Sequence, residues 1–351
     1  MIELSIPATF DRALALDYAE LNRRHRDRGI RIAEVYGALP GRDSARAPDS
    51  LPQVDIDALF DYARALRADG IAFRYTMNSV RLNAADMDAQ YRPFLERLLD
   101  TGIDRVSVAS PDVVKFLGRV FRPGAFDITA STIIQADSVR RVEQMLELGA
   151  RQVVLDIRAN RNFELLSQFR RHAERFDGRL VIMVNEFCGD CALRFNHYIL
   201  QSSEDGERAA CTPGLEGYPF TDCIGWFMAT PARILKGYWV LPQWLERYRD
   251  QSGIRCFKIA GRTVANPDWH RKVVGAYMAG RFDGNVLDLE PSDDTVLPFA
   301  LAGDTLDAGG YLDHFIDARP RCASQCGVSC RFCDTLAERL FAAPPVQAIQ
   351  A

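Results

Sequence analysis

The chain has 351 residues, 48% hydrophobic and 26% charged, with a net charge of −4 and a pI near 5.8. That length admits one large α/β domain with an appendage or two ordinary domains, and the composition excludes a disordered or fibrous chain. The charge balance offers no global attraction to nucleic acid or to an anionic membrane, leaving only a local basic groove open.

The N-terminal run Met1-Ile-Glu-Leu-Ser-Ile-Pro7 has neither the basic segment nor the apolar segment of a secretory signal, and no later run is long enough to span a membrane. A cytoplasmic protein without a membrane partner is expected. In that reducing compartment clustered cysteines are more often metal ligands or redox groups than structural disulfides.

In chain order, short β-branched runs alternate with amphipathic stretches of helical length. Strands are expected at Glu3–Pro7, Ile30–Leu39, Ile71–Met77, Arg105–Ala109, Phe126–Ala130, Gln152–Ile157, Leu180–Val184 and Ile254–Ile259. Helices are expected at Asp11–Arg26, Asp55–Ala68, Ala84–Asp100, Asp112–Phe121, Ala136–Leu148 and Phe163–Arg175. Eight strands with helical intervals and no hairpin signal predict parallel crossovers, and at this length a closed (β/α)8 barrel of the TIM type is the economical solution. An open doubly wound sheet is the alternative.

Between the seventh and eighth strands the chain spends about seventy residues, several times the usual loop length, so an insertion over one barrel mouth is expected. After Asn266 a helix runs to about Gly280, residues 282–289 read as a turn entering a short strand, and residues 291–318 as a loop with a short helix. A final helix covers Asp334–Phe341. The expected division is a barrel over 1–290, including the inserted segment 186–250, and a C-terminal extension over 291–351.

Function gathers at the C-terminal ends of barrel strands. The polar residues placed there are Glu34, Tyr36, Asn78, Ser79, Ser110, Ser131, Thr132, Arg158, Asn185, Glu186, Lys258 and Arg262. Among them Glu34, Asn78, Arg158 and Asn185 are candidate substrate contacts. Lys258 and Arg262 put two cations at the end of the eighth strand, where such barrels often hold anions. Strand ends meet solvent in any case, so each of these residues has a purely structural reading too.

All nine cysteines fall between residues 188 and 333, eight of them in two groups of four. Cys188, Cys191, Cys211 and Cys223 follow the spacing C-x2-C-x19-C-x11-C, and Cys322, Cys326, Cys330 and Cys333 follow C-x3-C-x3-C-x2-C. A CxxC pair puts two thiolates on one turn and distant cysteines close the site, which suits a [4Fe-4S] cluster, a zinc ion or a redox disulfide. The second group packs its thiols into a run better suited to a cuboidal cluster than to a zinc finger with two separated knuckles, though a structural zinc also fits.

Within the second group, Cys326-Gly-Val-Ser-Cys330-Arg-Phe-Cys333 has the spacing of radical S-adenosylmethionine enzymes. Its position near the C-terminus, and a fourth cysteine able to close the open iron, argue against that role. Cys256, within a strand, reads as a small apolar core residue. His25, His172, His270 and His314 fall on helical stretches, whereas His197 lies in the inserted segment as a proton donor or a partner of the metal.

Several runs together resemble the collagenase-like peptidase U32 family: Gly253-Ile-Arg-Cys-Phe-Lys-Ile-Ala-Gly-Arg262, Asp127-Ile-Thr-Ala-Ser-Thr132, Gly149-Ala-Arg-Gln-Val-Val-Leu155, and the cysteines after the seventh strand. The resemblance covers roughly residues 100 to 290. It implies a barrel-like fold, a [4Fe-4S] cluster held by Cys188 or Cys191 with Cys211 and Cys223, and Lys258 and Arg262 as the basic pair. Despite the family name, several members take part in oxygen-independent hydroxylation of tRNA, rRNA or the ubiquinone ring, with prephenate implicated as donor.

This chain departs from the family pattern at Ala260, where an acidic residue is usual, and at Asn185-Glu-Phe-Cys-Gly-Asp-Cys191, which replaces a phenylalanine-valine-histidine-glycine entry. The second cysteine group is also outside the common pattern.

The resulting expectation is an iron-sulfur enzyme with one or two [4Fe-4S] clusters, zinc being the alternative at either site. Lys258 and Arg262 would bind a small anionic substrate or hydroxyl donor, and Glu186 or His197 would move protons. A U32-type hydrolase and a non-catalytic electron-transfer subunit, working with a homologous partner or as a homodimer, are the alternatives. The sequence has no Gly-x-Ser-x-Gly or His-Glu-x-x-His motif to support hydrolysis.

Overall fold

The computed structural model describes residues 1–46, 50–190, 192, 194, 197, 223, 225–227, 229–230, 232–291 and 300–341. Eight strands close into one barrel: β1 Ile2–Pro7, β2 Ile30–Gly37, β3 Ala72–Met77, β4 Arg105–Val108, β5 Asp127–Ala130, β6 Gln152–Val154, β7 Leu180–Met183 and β8 Cys256–Lys258. Every neighbouring pair is parallel, and β1 closes the ring against β8 through Glu3↔Cys256 and Ser5↔Lys258. The chain is therefore a (β/α)8 barrel, as the alternation of strands and helices predicts.

The helices form where the sequence supplies caps and an apolar stripe. Asp11 caps Arg12–Arg24 by accepting from Ala13 N, and Asp55 caps Ile56–Ala68 by accepting from Ala58 N. In the second of these, Leu59, Phe60, Tyr62, Ala63 and Leu66 are buried at helical spacing against the staves. The helix expected over Ala84–Asp100 has a π-helical stretch, Met87–Tyr91, before Arg92–Asp100.

Two expectations in the last quarter are corrected. The short strand within 282–289 is instead a 3₁₀ turn, Val286–Leu289, because the Asn285 side chain accepts from Leu287 N and Leu301 N and bends the chain there. The stretch 291–318 carries two helices, Gly303–Ala308 and Tyr311–Ala318.

The barrel and the extension share one apolar core, in which Leu306, Tyr311, Leu312, Phe315 and Leu336 join the staves. Phe187 stacks on Trp239 with a centroid spacing of 5.4 Å, and Trp239, Tyr311 and Trp244 stack mutually at 5.5, 5.6 and 5.7 Å.

The barrel interior is polar. On β3, Phe73, Tyr75 and Met77 alternate with Arg74 and Thr76, and Arg74 is 1% exposed. Its guanidinium meets Glu34 at 3.0 Å and donates to Val106 O and Asp127 O. Ser5 and Arg105 also bind the Glu34 carboxylate. Burial alone would push that carboxyl up, but Arg74 outweighs it and holds the pKa at about 2. The cavity at the N-terminal mouth, lined by Glu3, Arg31, Arg105, Asp127 and Arg151, is walled by charges already paired with one another.

Candidate active site at the C-terminal mouth

Lys258 ends β8, pointing into the barrel between Ser5 and Met183, and is 6% exposed. Its Nζ lies 3.7 Å from the centre of the Tyr36 ring, a cation–π contact, and Tyr36 Oη donates to Ile259 O at 2.7 Å. Burial, reinforced by Arg262, brings the Lys258 pKa down to about 7. Arg262 is 8% exposed, donates to Ser44 O at 3.1 Å, and is brought down to about 9 by burial and then by Arg46. Neither cation makes an ion pair among the described residues.

The turn that presents Arg262 requires glycine at 261. Its φ is +141°, and a Cβ there would sit 2.7 Å from the Trp269 ring. The wall opposite is the loop after β2. Asp43 accepts from Tyr75 Oη at 2.7 Å, its carbonyl accepts from Ser79 N, and burial raises its carboxyl to about 6.

A carboxyl pair stands on the other side. Glu186 follows β7, and its charge bears on Tyr36, Cys188 and Glu290. Burial and then Glu186 raise Glu290 to about 7. Cys188 packs with Ile157, Met183, Tyr238 and Ala260, and burial followed by Glu186 pushes its thiol up to about 12. Cys223 is near enough for its charge to act on Cys188. Cys191 and Cys211 lie outside the described residues, and His197 is half-buried in the inserted segment.

Arg194 anchors that segment to the barrel. It reaches Asp156, a fully buried carboxylate after β6, at 2.6 Å and Asp190 at 3.5 Å.

Three expected substrate contacts have other positions or partners. Glu34 lies inside the barrel before the end of β2, its carboxylate engaged by Arg74, Arg105 and Ser5. Asn185 is fully buried, and its amide pins β7 to the end of β8 and to the 3₁₀ turn through Ala260 N, Ala260 O and Leu289 O. Arg158 is neutralised by Asp156 and Asp137, each at 3.0 Å. Asn78 stays at the mouth, its Oδ1 accepting from Ser107 at 3.4 Å.

Sequence reasoning missed Arg74, Asp43, Asp156, Arg194 and Glu290. Only Arg74 carried a signal, a charge in mid-strand alternating with aromatics. Among the described residues no three His, Cys, Asp or Glu side chains are placed to share one metal ion, and no helix is long and apolar enough to cross a membrane.

A (β/α)8 barrel with a cationic pair at the end of its eighth strand is the class that fold and site define. The Phe257–Arg262 run resembles that of the peptidase U32 family, and the chain is similar to proteins described as proteases or U32 peptidases. It is 27% identical over 245 residues to a protein of Methanocaldococcus jannaschii named uncharacterized protease MJ1657, covering 69% of this chain and 68% of that one. Among solved structures, the U32 peptidase Mk0906 is similar over 62% of this chain and 83% of its own, with 16% identity and a TM-score of 0.45. A putative mandelate racemase/muconate lactonizing enzyme of Labrenzia alexandrii is similar over 58% of this chain and 52% of its own, with 12% identity and a TM-score of 0.34. No protein-family model matches the chain.

Proposed function

We propose that the chain is an enzyme of the peptidase U32 type that binds a small anionic substrate or hydroxyl donor at the C-terminal mouth. The reaction proposed is an oxygen-independent hydroxylation or a related redox conversion. The observation that carries this reading is the buried pair Lys258 and Arg262, which form no ion pair among the described residues, so that burial and the neighbouring cations outweigh the more distant Glu34 and Asp43. An anion entering there accepts charge-assisted hydrogen bonds from both and relieves their mutual repulsion.

The two described cysteines of the first group fit a thiolate-ligated centre beside that anion. A thiol held at about 12 stays protonated at neutral pH until a metal ion binds its sulfur and displaces the proton to solvent. Cys191 and Cys211 would complete the set. A [4Fe-4S] cluster bound there supplies electrons or Lewis acidity, and zinc would supply Lewis acidity alone. Glu290, with its pKa at about 7, and Glu186 beside it are matched to accept and return a proton near neutral pH. Arg194 and Asp156 hold the segment that carries Cys188.

The test is titration calorimetry of anaerobically purified chain with prephenate near pH 6.5. Lys258→Met and Arg262→Gln each remove a charged hydrogen bond, so each is expected to weaken binding about tenfold or more. Unchanged affinity in both variants overturns the reading. The archaeal relative's name supports a second reading, peptide hydrolysis. Casein cleavage by metal-free chain, unaffected by Lys258→Met, would favour it.

A further inference from the structure

The four cysteines of the C-terminal extension converge although two helices and a turn separate them. Cys322 opens the helix Cys322–Gln325, Cys326 and Cys330 flank the turn at Gly327 and share a backbone bridge, and Cys333 sits in the first turn of Phe332–Leu340. Gly327 N donates to Cys330 O, and Cys330 N to Gln325 O, each at 2.9 Å. Cys322 and Cys333 pack against the barrel core, and Cys333 Sγ lies 3.6 Å from Leu235 O. Every one of the four is a free thiol, and the charges of Cys322, Cys326 and Cys330 all bear on Cys333.

A buried cation faces this group. Arg161 is 2% exposed and donates to Trp239 O at 2.8 Å, Gly237 O at 3.1 Å, Tyr311 Oη at 3.1 Å and Tyr248 Oη at 3.3 Å. Its guanidinium lies 4.9 Å from the centres of the Tyr311 and Phe315 rings. It makes no ion pair, and its Nε has no hydrogen-bond partner, among the described residues. An uncompensated guanidinium in a core is strongly unfavourable. The Tyr311 and Tyr248 hydroxyls and the Cys333 and Cys322 thiols are the groups that face it, and a thiol becomes a thiolate when its sulfur binds a metal.

Lys236, paired with Asp334 at 2.6 Å, lies near Cys326 and Cys333. His314 brings Nε2 to 3.7 Å from Cys330 Sγ while stacked on Phe332.

We propose that Cys322, Cys326, Cys330 and Cys333 bind a [4Fe-4S] cluster of their own, with Arg161 and Lys236 as its charge partners. It ties the extension to the barrel, and its ligands are independent of the cysteines at the mouth. One zinc ion with bonds of about 2.3 Å would draw its sulfurs to within about 4 Å of one another. A cubane takes each thiolate at a different iron and so accepts a wider spacing. Four thiolates also make the centre anionic, the charge that Arg161 lacks.

The experiment is metal and acid-labile sulfide analysis of the full chain, purified anaerobically, in a Cys188→Ser/Cys223→Ser variant. About four iron and about four sulfide per chain are expected to remain, and to be lost when Cys326→Ser and Cys330→Ser are added. Zinc without sulfide, or no metal, overturns the proposal. Alkylation of the native wild-type chain gives an answer that does not depend on a variant folding. Iodoacetamide should leave these four cysteines unmodified until chelator and ferricyanide remove the iron. Modification of all four before that removal overturns the proposal. Failure of prephenate to bind at the mouth would defeat the reading of the active site and leave both of these outcomes unchanged.

Discussion

Lys258→Met separates the two consequences of burying a cation at the mouth. In the wild type the ammonium is brought from 10.5 to about 7, so keeping the proton below that pH costs up to about 5 kcal/mol relative to water, at about 1.4 kcal/mol per pH unit. The sign follows from proton binding. The folded state releases this proton first, so between about pH 7 and 10.5 the unfolded chain binds more protons and stability rises with pH. The cost is therefore full near pH 6 and falls to about 2 kcal/mol near pH 9. Methionine fills the same volume without the charge, and loses only the contact with Tyr36.

The expected result is a variant more stable than wild type by a few kcal/mol near pH 6, the advantage shrinking by about 3 kcal/mol toward pH 9. Urea unfolding at the two pH values measures it, the slope m serving to check that the transition is unchanged. A variant less stable than wild type by the same amount at both values would show that Lys258 is not held against a desolvation cost, and the argument for an anion site would fall with it.

Arg74→Met should act in the opposite direction. It leaves the Glu34 carboxylate inside the barrel with Arg105 and Ser5, at a cost of about 3–5 kcal/mol in urea unfolding, and a loss under 1 kcal/mol would refute the ion-pair reading. Because Glu34 sits at about 2, its share of wild-type stability is present above about pH 4.5 and is lost as pH falls toward 2, a dependence the variant should largely lack. Gly261→Ala puts a methyl group 2.7 Å from Trp269 at a φ of +141°, so a loss of about 1–3 kcal/mol together with weaker anion binding is expected. Unaltered affinity would mean that the turn does not aim Arg262.

The barrel was legible because each strand is a short apolar run bounded by a cap or a glycine, as at Asp11, Asp55 and Gly253. Those signals act over a few residues, and they placed seven of the strands to within about two residues at either end, while β6 stopped three residues early at Val154, before the 3₁₀ turn Ile157–Arg161. β2 ended two residues early at Gly37, where a Cβ would lie 2.7 Å from that of Ala8. The 3₁₀ turn at Val286–Leu289 was missed because a single side chain, Asn285, decides it against the apolar pattern of Val-Leu-Asp-Leu. The polar interior was missed for a different reason. Alternation shows which residues point inward but not which of them meet, and Glu34 finds Arg74 across 40 positions of chain.

The same limit explains why a rule about strand ends could name the right neighbourhood and still mix structural residues with candidate functional ones. Asn185, Arg158 and Lys258 all follow from that rule with equal force. Their difference lies in what the closed barrel brings to each. Asn185 meets backbone groups that use its amide fully, and Arg158 meets two carboxylates. Lys258 meets an aromatic face and a second cation. A buried charge whose surroundings disfavour it is stable only because the rest of the fold holds it in place, and it is relieved by whatever anion the mouth admits. The same reasoning links Arg161 to the C-terminal cysteines: in each place the fold encloses a positive charge with no ion pair among the described residues, and the counter-charge proposed for it is a bound group.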